Sequence, residues 1–355
     1  MSGAKSLFAA LLGAALAWPW AAEAASPECA ASRAGMPDPA ITLRLDNDLF
    51  GTERQDQGYT SGLLITSMSP NLADYRSDPC LPRVGRWLNR FFDWLQPGGF
   101  EQQNMVVTFG QSIFTPSDDL ATELLVDDRP YAAALLFGIG YNARQGNDLR
   151  TTQVRFGILG PSARGKEVQA NWHDWIGIET FHGWDHQLRD EPLLQLIKER
   201  MRRYAREGAA GEERWSQDFI VHWGGALGNY ATYANVGAEW RIGWKLPDDF
   251  GSTPLRPAGE NTAPARKGRQ DRGWAGHIFG TVDARWVLHD ITLDGNSWKD
   301  SHSVEKKDLV GDIGYGMAVT KGRWKLAFAR YFRSYEFDGQ KERPAFGSIT
   351  ISRKF

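Results

Sequence analysis

The 355-residue chain is short of several things, and each shortage excludes something. Beyond its first two dozen residues no window holds the roughly 20 apolar residues that a spanning helix needs. Cysteine occurs only twice, at Cys29 and Cys80, too few for a disulfide-dense scaffold. Net charge is only −2, so nothing points to nucleic acid. No His-Glu-x-x-His pattern exists. His182 and His186 stand four apart, a spacing that suits zinc on a helix, but Gly183 and Trp184 between them argue for a turn. A serine-hydrolase elbow is missing too: in Gly160-Pro161-Ser162-Ala163-Arg164-Gly165 the second glycine falls one place late.

What is present begins with an export signal. Lys5 supplies a basic start, Ser6 to Trp20 is apolar, and Ala22-Glu23-Ala24 reads as a cleavage site, so residues 1–24 are expected to be removed. Residues 25–40 then form a periplasmic N-terminal segment. Export permits a Cys29–Cys80 disulfide, with two free thiols as the alternative. The mean hydropathy of −0.45 would ordinarily read as soluble. A membrane β-barrel escapes that reading, because only alternate residues face lipid. The 15 tryptophans and 38 glycines suit interfacial girdles and tight turns; a large soluble β-sandwich is the alternative.

Period-2 alternation bounded by turn residues predicts strands at 41–49, 59–67, 104–114, 131–141, 151–159, 193–204, 215–227, 233–244, 274–288, 308–318, 324–332 and 345–355. The sixth also reads as an amphipathic helix. Twelve is an even count, as bacterial barrels require. In the last strand Ile349, Ile351, Arg353 and Phe355 share one face, and the chain ends on an aromatic, as outer-membrane barrels commonly do. The fold class expected is therefore all-β: a twelve-stranded antiparallel transmembrane β-barrel of the bacterial outer membrane, spanning 41–355.

With the N-terminus in the periplasm, segments 50–58, 115–130, 160–192, 228–232, 289–307 and 333–344 lie outside. Both cysteines fall on the periplasmic side. Segment 70–100 carries Trp87, Leu88, Phe91, Phe92, Trp94 and Leu95 at helical spacing, which fits an interfacial helix or a plug in the barrel mouth. Segment 246–272 is rich in Pro, Gly, Arg and Asp and is expected to be mobile.

Five polar clusters converge on the outer rim: Asp46-Asn47-Asp48, Gly58 to Gly62, Gln111, Asp127-Asp128-Arg129, and His173 to Glu179 in the long loop 160–192. A histidine with a carboxylate six residues on suits a general base and its orienting partner. Asp46-Asn47-Asp48 offers hard oxygens that suit Ca²⁺ rather than zinc, although Asn and Asp also simply favour turns. Gln111, Asp128 and Arg129 are candidate substrate contacts.

Several strings, in collinear order over nearly the whole mature chain, resemble the lipid A 3′-O-deacylase family of Gram-negative outer membranes. They include Asn47-Asp48-Leu49-Phe50, Asp56-Gln57-Gly58-Tyr59-Thr60-Ser61-Gly62, Gly110 to Pro116, Asp128 to Ala132, Val168-Gln169, His173, Gly183 to Leu188 and Leu293 to Asn296. The resemblance implies an outer-membrane esterase that removes the 3′-linked acyloxyacyl group of lipid A with Ca²⁺ as cofactor. It places catalytic roles on Asn47, Thr60, His173 and Glu179, and a metal role on Asp48. The expected mechanism has His173 activate a water, Glu179 hold its ring, and a Ca²⁺ near Asp48 polarise the ester, in a site open sideways to the outer leaflet. Expected partners are lipopolysaccharide, the bilayer and the barrel-assembly machinery. One departure stands out: the family's lysine after strand three has no counterpart in Ser117 to Asp128, leaving Arg129 as the nearest cation. Residue chemistry alone leaves an outer-membrane phospholipase, or a non-enzymatic porin or structural barrel, open. Oligomeric state is not legible.

Overall fold

The computed structural model describes residues 39–48, 58–177, 180–205, 215–251 and 273–355. Twelve antiparallel strands close into one barrel, each paired with its neighbours in sequence, and the first strand pairs with the last. They are β1 (Ala40–Asn47), β2 (Gly58–Met68), β3 (Gln102–Thr115), β4 (Ala132–Gln145), β5 (Asp148–Leu159), β6 (Glu191–Ala205), β7 (Trp215–Gly228), β8 (Ala231–Trp244), β9 (Trp274–Asp290), β10 (Leu309–Lys321), β11 (Trp324–Arg333) and β12 (Ala345–Lys354). Every expected strand is present, within a few residues of its expected ends. Closure runs from Ala40 against Lys354 to Asn47 against Gly347, and Thr42 Oγ1 donates to Ser352 Oγ at 2.9 Å across the seam. Closure leaves no unpaired sheet edge.

β6 resolves its ambiguity in favour of a strand. Leu193, Ile197 and Met201 are spaced by four, which satisfies both a helical repeat and an alternation of two. The residues between them decide: burial alternates along the whole strand, with Gln195 and Glu199 buried beside the apolar trio.

That alternation defines the wall's two faces. Outward on β6 to β11 stand Leu194, Phe219, Trp223, Trp240, Ile278, Val282, Ile313, Tyr315, Leu326 and others, all exposed apolar side chains. Inward lies a packed, largely ionic lumen. At the rim that carries the chain's last residue, Leu246–Gly251 turns back inside. Phe250 packs on Leu149, Met201 and Ile220, and Asp248 accepts from Arg144 at 2.7 Å and pairs with Arg203. Arg203 and Arg241 both donate to Asp218, each at 2.6 Å. At the opposite rim Arg333 bridges Asp312 (2.7 Å) and Glu336 (3.0 Å). Segment 246–272 is expected to be mobile, but its first part, Leu246–Gly251, is instead pinned by Phe250 and Asp248; 252–272 lies outside the described residues.

Among the described residues three α-helices interrupt the barrel: α1 (Arg83–Phe91), α2 (Gly165–Ile176) and the single turn α3 (Ile291–Asp294). None of the described helices is long and apolar enough to cross a membrane. Of the two readings offered for 70–100, the plug is the wrong one. Leu72, Tyr75, Leu81 and Leu95 pack on Met105, Val107, Ile139, Tyr141 and Val154, with Leu88 and Phe92 against them. Those strand residues share the face of Phe156, which is exposed, so the segment clads the outside of β3–β5. Tyr141 donates its hydroxyl to Asn89 Oδ1 at 2.8 Å, fixing α1 to the wall. Cys80, inside this cladding, is disulfide-bonded; Cys29 lies outside the described residues.

Candidate active site on the outer wall

The top of β1 divides the cluster Asp46-Asn47-Asp48. Consecutive strand residues point to opposite faces. Asp46 therefore turns into the lumen, where Tyr59 donates to it at 2.8 Å and Arg44 pairs with it at 3.1 Å. Asn47 turns outward, and its Nδ2 donates to the carbonyl of Thr60 at 3.2 Å. β2 is bulged between Tyr59 and Ser61, so Thr60 has no partner in the ladder. The Thr60 hydroxyl instead lies 2.6 Å from that of Thr115, the last residue of β3. Asn47, Asp48, Thr60 and Thr115 are all buried, the last three completely.

His173 is not in an irregular loop but in the last turn of α2, its carbonyl capped by the N–H of Gly177, a glycine with φ 75°. The helix is laid on the outer wall at the same rim. Ile113, Tyr131, Ala133, Ala163, Phe181 and Trp184 form one buried cluster, with Leu135, Ile158 and Val168 against it. Full burial of each large apolar side chain there contributes about 1.5–3 kcal/mol. Two glycines make the fit possible. A Cβ on Gly165 would stand 2.4 Å from that of Ala133, and one on Gly183 would stand 2.6 Å from the Tyr131 ring. Arg164, just before α2, adopts the left-handed conformation (φ 59°), which costs a non-glycine residue about 1–2 kcal/mol.

His173 is 1 % exposed, and its ring centroid lies 5.8 Å from that of Phe181. One turn earlier on the same helix, Gln169 is also buried. Its Oε1 accepts from Trp184 Nε1 at 2.8 Å, while its Nε2 is buried without a hydrogen-bond partner. In the sequence Gln169 stands in the Val168-Gln169 motif with no role of its own; its four-residue spacing to His173 is the signal that pairs them on one helix face. The rest of the site is linked through β3. Ile113 seats α2, and Thr115, two residues on along the same face, meets Thr60. Asn47, Thr60, Gln169 and His173 thus occupy one sector outside the barrel. Glu179 lies outside the described residues.

The three expected substrate contacts are committed elsewhere. Gln111 donates to the carbonyl of Ala163 at 2.6 Å and fastens the approach to α2. Asp128 accepts from the N–H of Ser117 at 2.8 Å and its hydroxyl at 2.6 Å, closing the loop after β3. Arg129 is sealed inside the barrel: it pairs with Glu336 at 3.2 Å, donates to Thr292 at 3.1 Å and lies over the Phe114 ring. Burial works against the Glu336 carboxylate, but Arg333 and Arg129 outweigh it and hold the group below its usual range. Arg129 is therefore a lumenal residue, not an outward cation. The zinc spacing of His182 and His186 serves loop fastening: the His182 N–H donates to Asp119 O at 3.0 Å, and His186 Nε2 lies 3.1 Å from Thr122 O.

Among the described residues no three His, Cys, Asp or Glu side chains gather as a metal site. A soft-ligand centre does not fit. The residue types present are of the other kind: Asp48 is fully buried, and Asn47 is hydrogen-bonded to Thr60, so the oxygens offered are of the hard donor class that Ca²⁺ accepts.

A family model described as "Outer membrane protein LpxR" matches residues 7–355. No curated protein sequence matches the chain. Among solved structures, LpxR from Salmonella typhimurium is similar with a TM-score of 0.70 at 17% identity, covering 89% of this chain and 100% of that one. The β domain of the Bordetella autotransporter BrkA aligns over 90% of this chain and 99% of its own, at 9% identity and a TM-score of only 0.39.

Proposed function

Because the chain belongs to the LpxR family of outer-membrane proteins, we propose that it is an outer-membrane esterase that removes the 3′-linked acyloxyacyl group of lipid A. The observation that carries this reading is the position of His173. A buried histidine sits on a helix fastened to the outside of a barrel, in the sector that holds Asn47 and Thr60. A solute channel has no use for polar groups there. Its lumen, moreover, would need to be open, whereas Phe250, Asp248 and the Arg129–Glu336–Arg333 chain occupy its two ends.

In the mechanism, His173 accepts a proton from a water as the water oxygen attacks the ester carbonyl carbon. The tetrahedral intermediate collapses with cleavage of the bond to the alkoxy oxygen. His173 returns the proton to that oxygen, so a free hydroxyl and a fatty acid leave. Glu179 is proposed to hold the imidazole in the required tautomer, and the Gln169 amide to donate to the water or the acyl oxygen. A Ca²⁺ held by Asp48, with Asn47 and Thr60 oxygens, would supply electrostatic stabilisation of the developing oxyanion. Opening outward, the site receives an outer-leaflet lipid without drawing its acyl chains from the apolar phase. Lipopolysaccharide is thus the substrate partner, and the barrel-assembly machinery inserts the chain.

Mass spectrometry of lipid A from cells with and without the protein tests the proposal. Loss of a mass equal to one acyloxyacyl group is the expected result. An unchanged lipid A profile together with newly formed lysophospholipid would replace it with a phospholipase.

A further inference from the structure

The outward face of β11 is apolar except at one position. Trp324, Leu326, Phe328 and Phe332 project to the lipid side, while Ala327, Ala329 and Tyr331 are buried inside. Between Phe328 and Phe332 on the outward face stands Arg330. An arginine facing hydrocarbon is costly at mid-membrane and tolerated near the interface. The side chain climbs toward the rim: its guanidinium lies 5.1 Å from the centroid of the Phe332 ring, two residues nearer that end. Its Nε is buried and has no hydrogen-bond partner, and no carboxylate of the described residues pairs with it. Other cations around the site are spoken for. Arg164 pairs with Glu167 at 3.8 Å and Lys166 with Asp185 at 3.1 Å, and Arg129 is inside the lumen.

Register sets Arg330 beside the candidate site. Arg330 is opposite Gly347 on β12, and Gly347 is opposite Asn47 on β1. Two strand spacings separate the Arg330 and Asn47 backbones, about 10 Å. The residue between them is Gly347, so β12 itself places no side chain between the two. Arg330 and Asn47 thus share the outward face of the two strands that flank β12, on either side of a glycine.

We propose that Arg330 is the specificity residue that engages a phosphate of the phosphorylated saccharide headgroup whose ester enters the Asn47–Thr60–His173 site. This rests on the esterase reading above and answers a need that reading leaves: an outward cation where the loop after β3 supplies none. The guanidinium forms a charge-assisted, bidentate pair with the phosphate oxygens. Arg330 thereby discriminates phosphorylated from dephosphorylated lipid without taking part in bond cleavage.

The test uses the full-length protein in mixed micelles, with bis-phosphorylated lipid A and the same lipid after phosphatase treatment. The quantity read is the ratio of kcat/KM on the two substrates. In Arg330→Gln the wild-type preference for the phosphorylated lipid should fall roughly tenfold to a hundredfold, the range of a hydrogen bond to a charged group. Arg330→Lys should keep a substantial part of it, and Arg343→Gln, on the hairpin loop above, should keep all of it. An unchanged preference in Arg330→Gln, or an equal loss on both lipids, would overturn the assignment. A second arm measures binding of the same two lipids by fluorescence titration in a His173→Ala background, where turnover plays no part. If wild-type protein hydrolyses neither lipid, the esterase reading fails while this arm still decides Arg330. An equal loss of affinity for phosphatidylglycerol micelles would make Arg330 a general lipid anchor and also overturn the proposal.

Discussion

The two halves of the barrel wall follow one sequence rule and end in different environments. On β7–β11 the outward residues, such as Trp223, Val282, Ile313 and Met317, are bare. On β3–β5 the outward residues are equally apolar, yet Val107, Ile113, Ile139 and Val154 are buried under chain that returns from the two rims. Segment 70–96 covers them at the rim of the chain's last residue, and α2 with the 180–187 loop covers them at the other. The bare wall only has to be apolar. The clad wall has to be complementary, and it shows this in Gly165, Gly183, Ala133 and the Tyr141–Asn89 hydrogen bond. The candidate general base lies on the clad side: His173 and Gln169 are on α2, beside the β1 and β2 ends that carry Asn47 and Thr60. A lipid solvent adapts to any apolar surface, whereas a helix that must hold a histidine in place needs a fitted seat.

The comparison breaks most sharply at His173. His173→Ala should lower lipid A deacylation by about 10²–10⁴-fold while the barrel stays folded and heat-modifiable on gels; activity within tenfold of wild type would remove the general-base role. Chelation comes next. Excess EGTA should abolish turnover, and Ca²⁺ but not Zn²⁺ should restore it; full activity in EGTA would refute the hard-cation reading of Asp48. Gly165→Leu should then lift α2 from Ala133 and Trp184. Overpacking of this kind costs about 1–3 kcal/mol, so activity and protease resistance of segment 160–190 should fall together while strand content by circular dichroism is kept. Protease resistance equal to wild type would mean that the seat is looser than these contacts imply.

Smaller effects sharpen the contrast. Tyr141→Phe removes the hydroxyl that holds Asn89 and should cost about 1 kcal/mol in the cladding, read as faster amide exchange in α1 with turnover unchanged. On the bare wall Ile313→Leu should change thermal stability by no more than ~0.5 kcal/mol, with activity untouched. A large loss there would show that β10 is covered by a partner in the membrane.

The strands were legible because period-2 alternation survives wherever one face meets a lumen and the other an apolar phase. Their facing at the rim was less so. Asp46-Asn47-Asp48 read as one cluster of hard oxygens, but alternation sends Asp46 inward and Asn47 outward. Arg129 read as the nearest cation to the site by position in the chain, and it belongs to the lumen. The cladding was illegible for a simpler reason: Val107 or Ile113 facing lipid has the same composition as Val107 or Ile113 facing a helix. Only the glycines at 165 and 183 hinted at close packing, and glycine has too many other uses to decide the matter. Gln169 shows the converse. Its spacing from His173 was visible, but that α2 is a helix at all depended on reading 160–192 as more than a polar loop.

Placement of α2 outside the barrel also fixes the dimension in which the enzyme would work. An outward site on an immobile wall meets its substrate by lateral diffusion in one leaflet, not by collision from bulk water. The concentration that governs its rate is then a surface density: the mole fraction of cleavable lipid among its neighbours. Diluting that lipid with inert amphiphile at constant bulk amount should slow the reaction, and diluting the whole suspension with buffer should not.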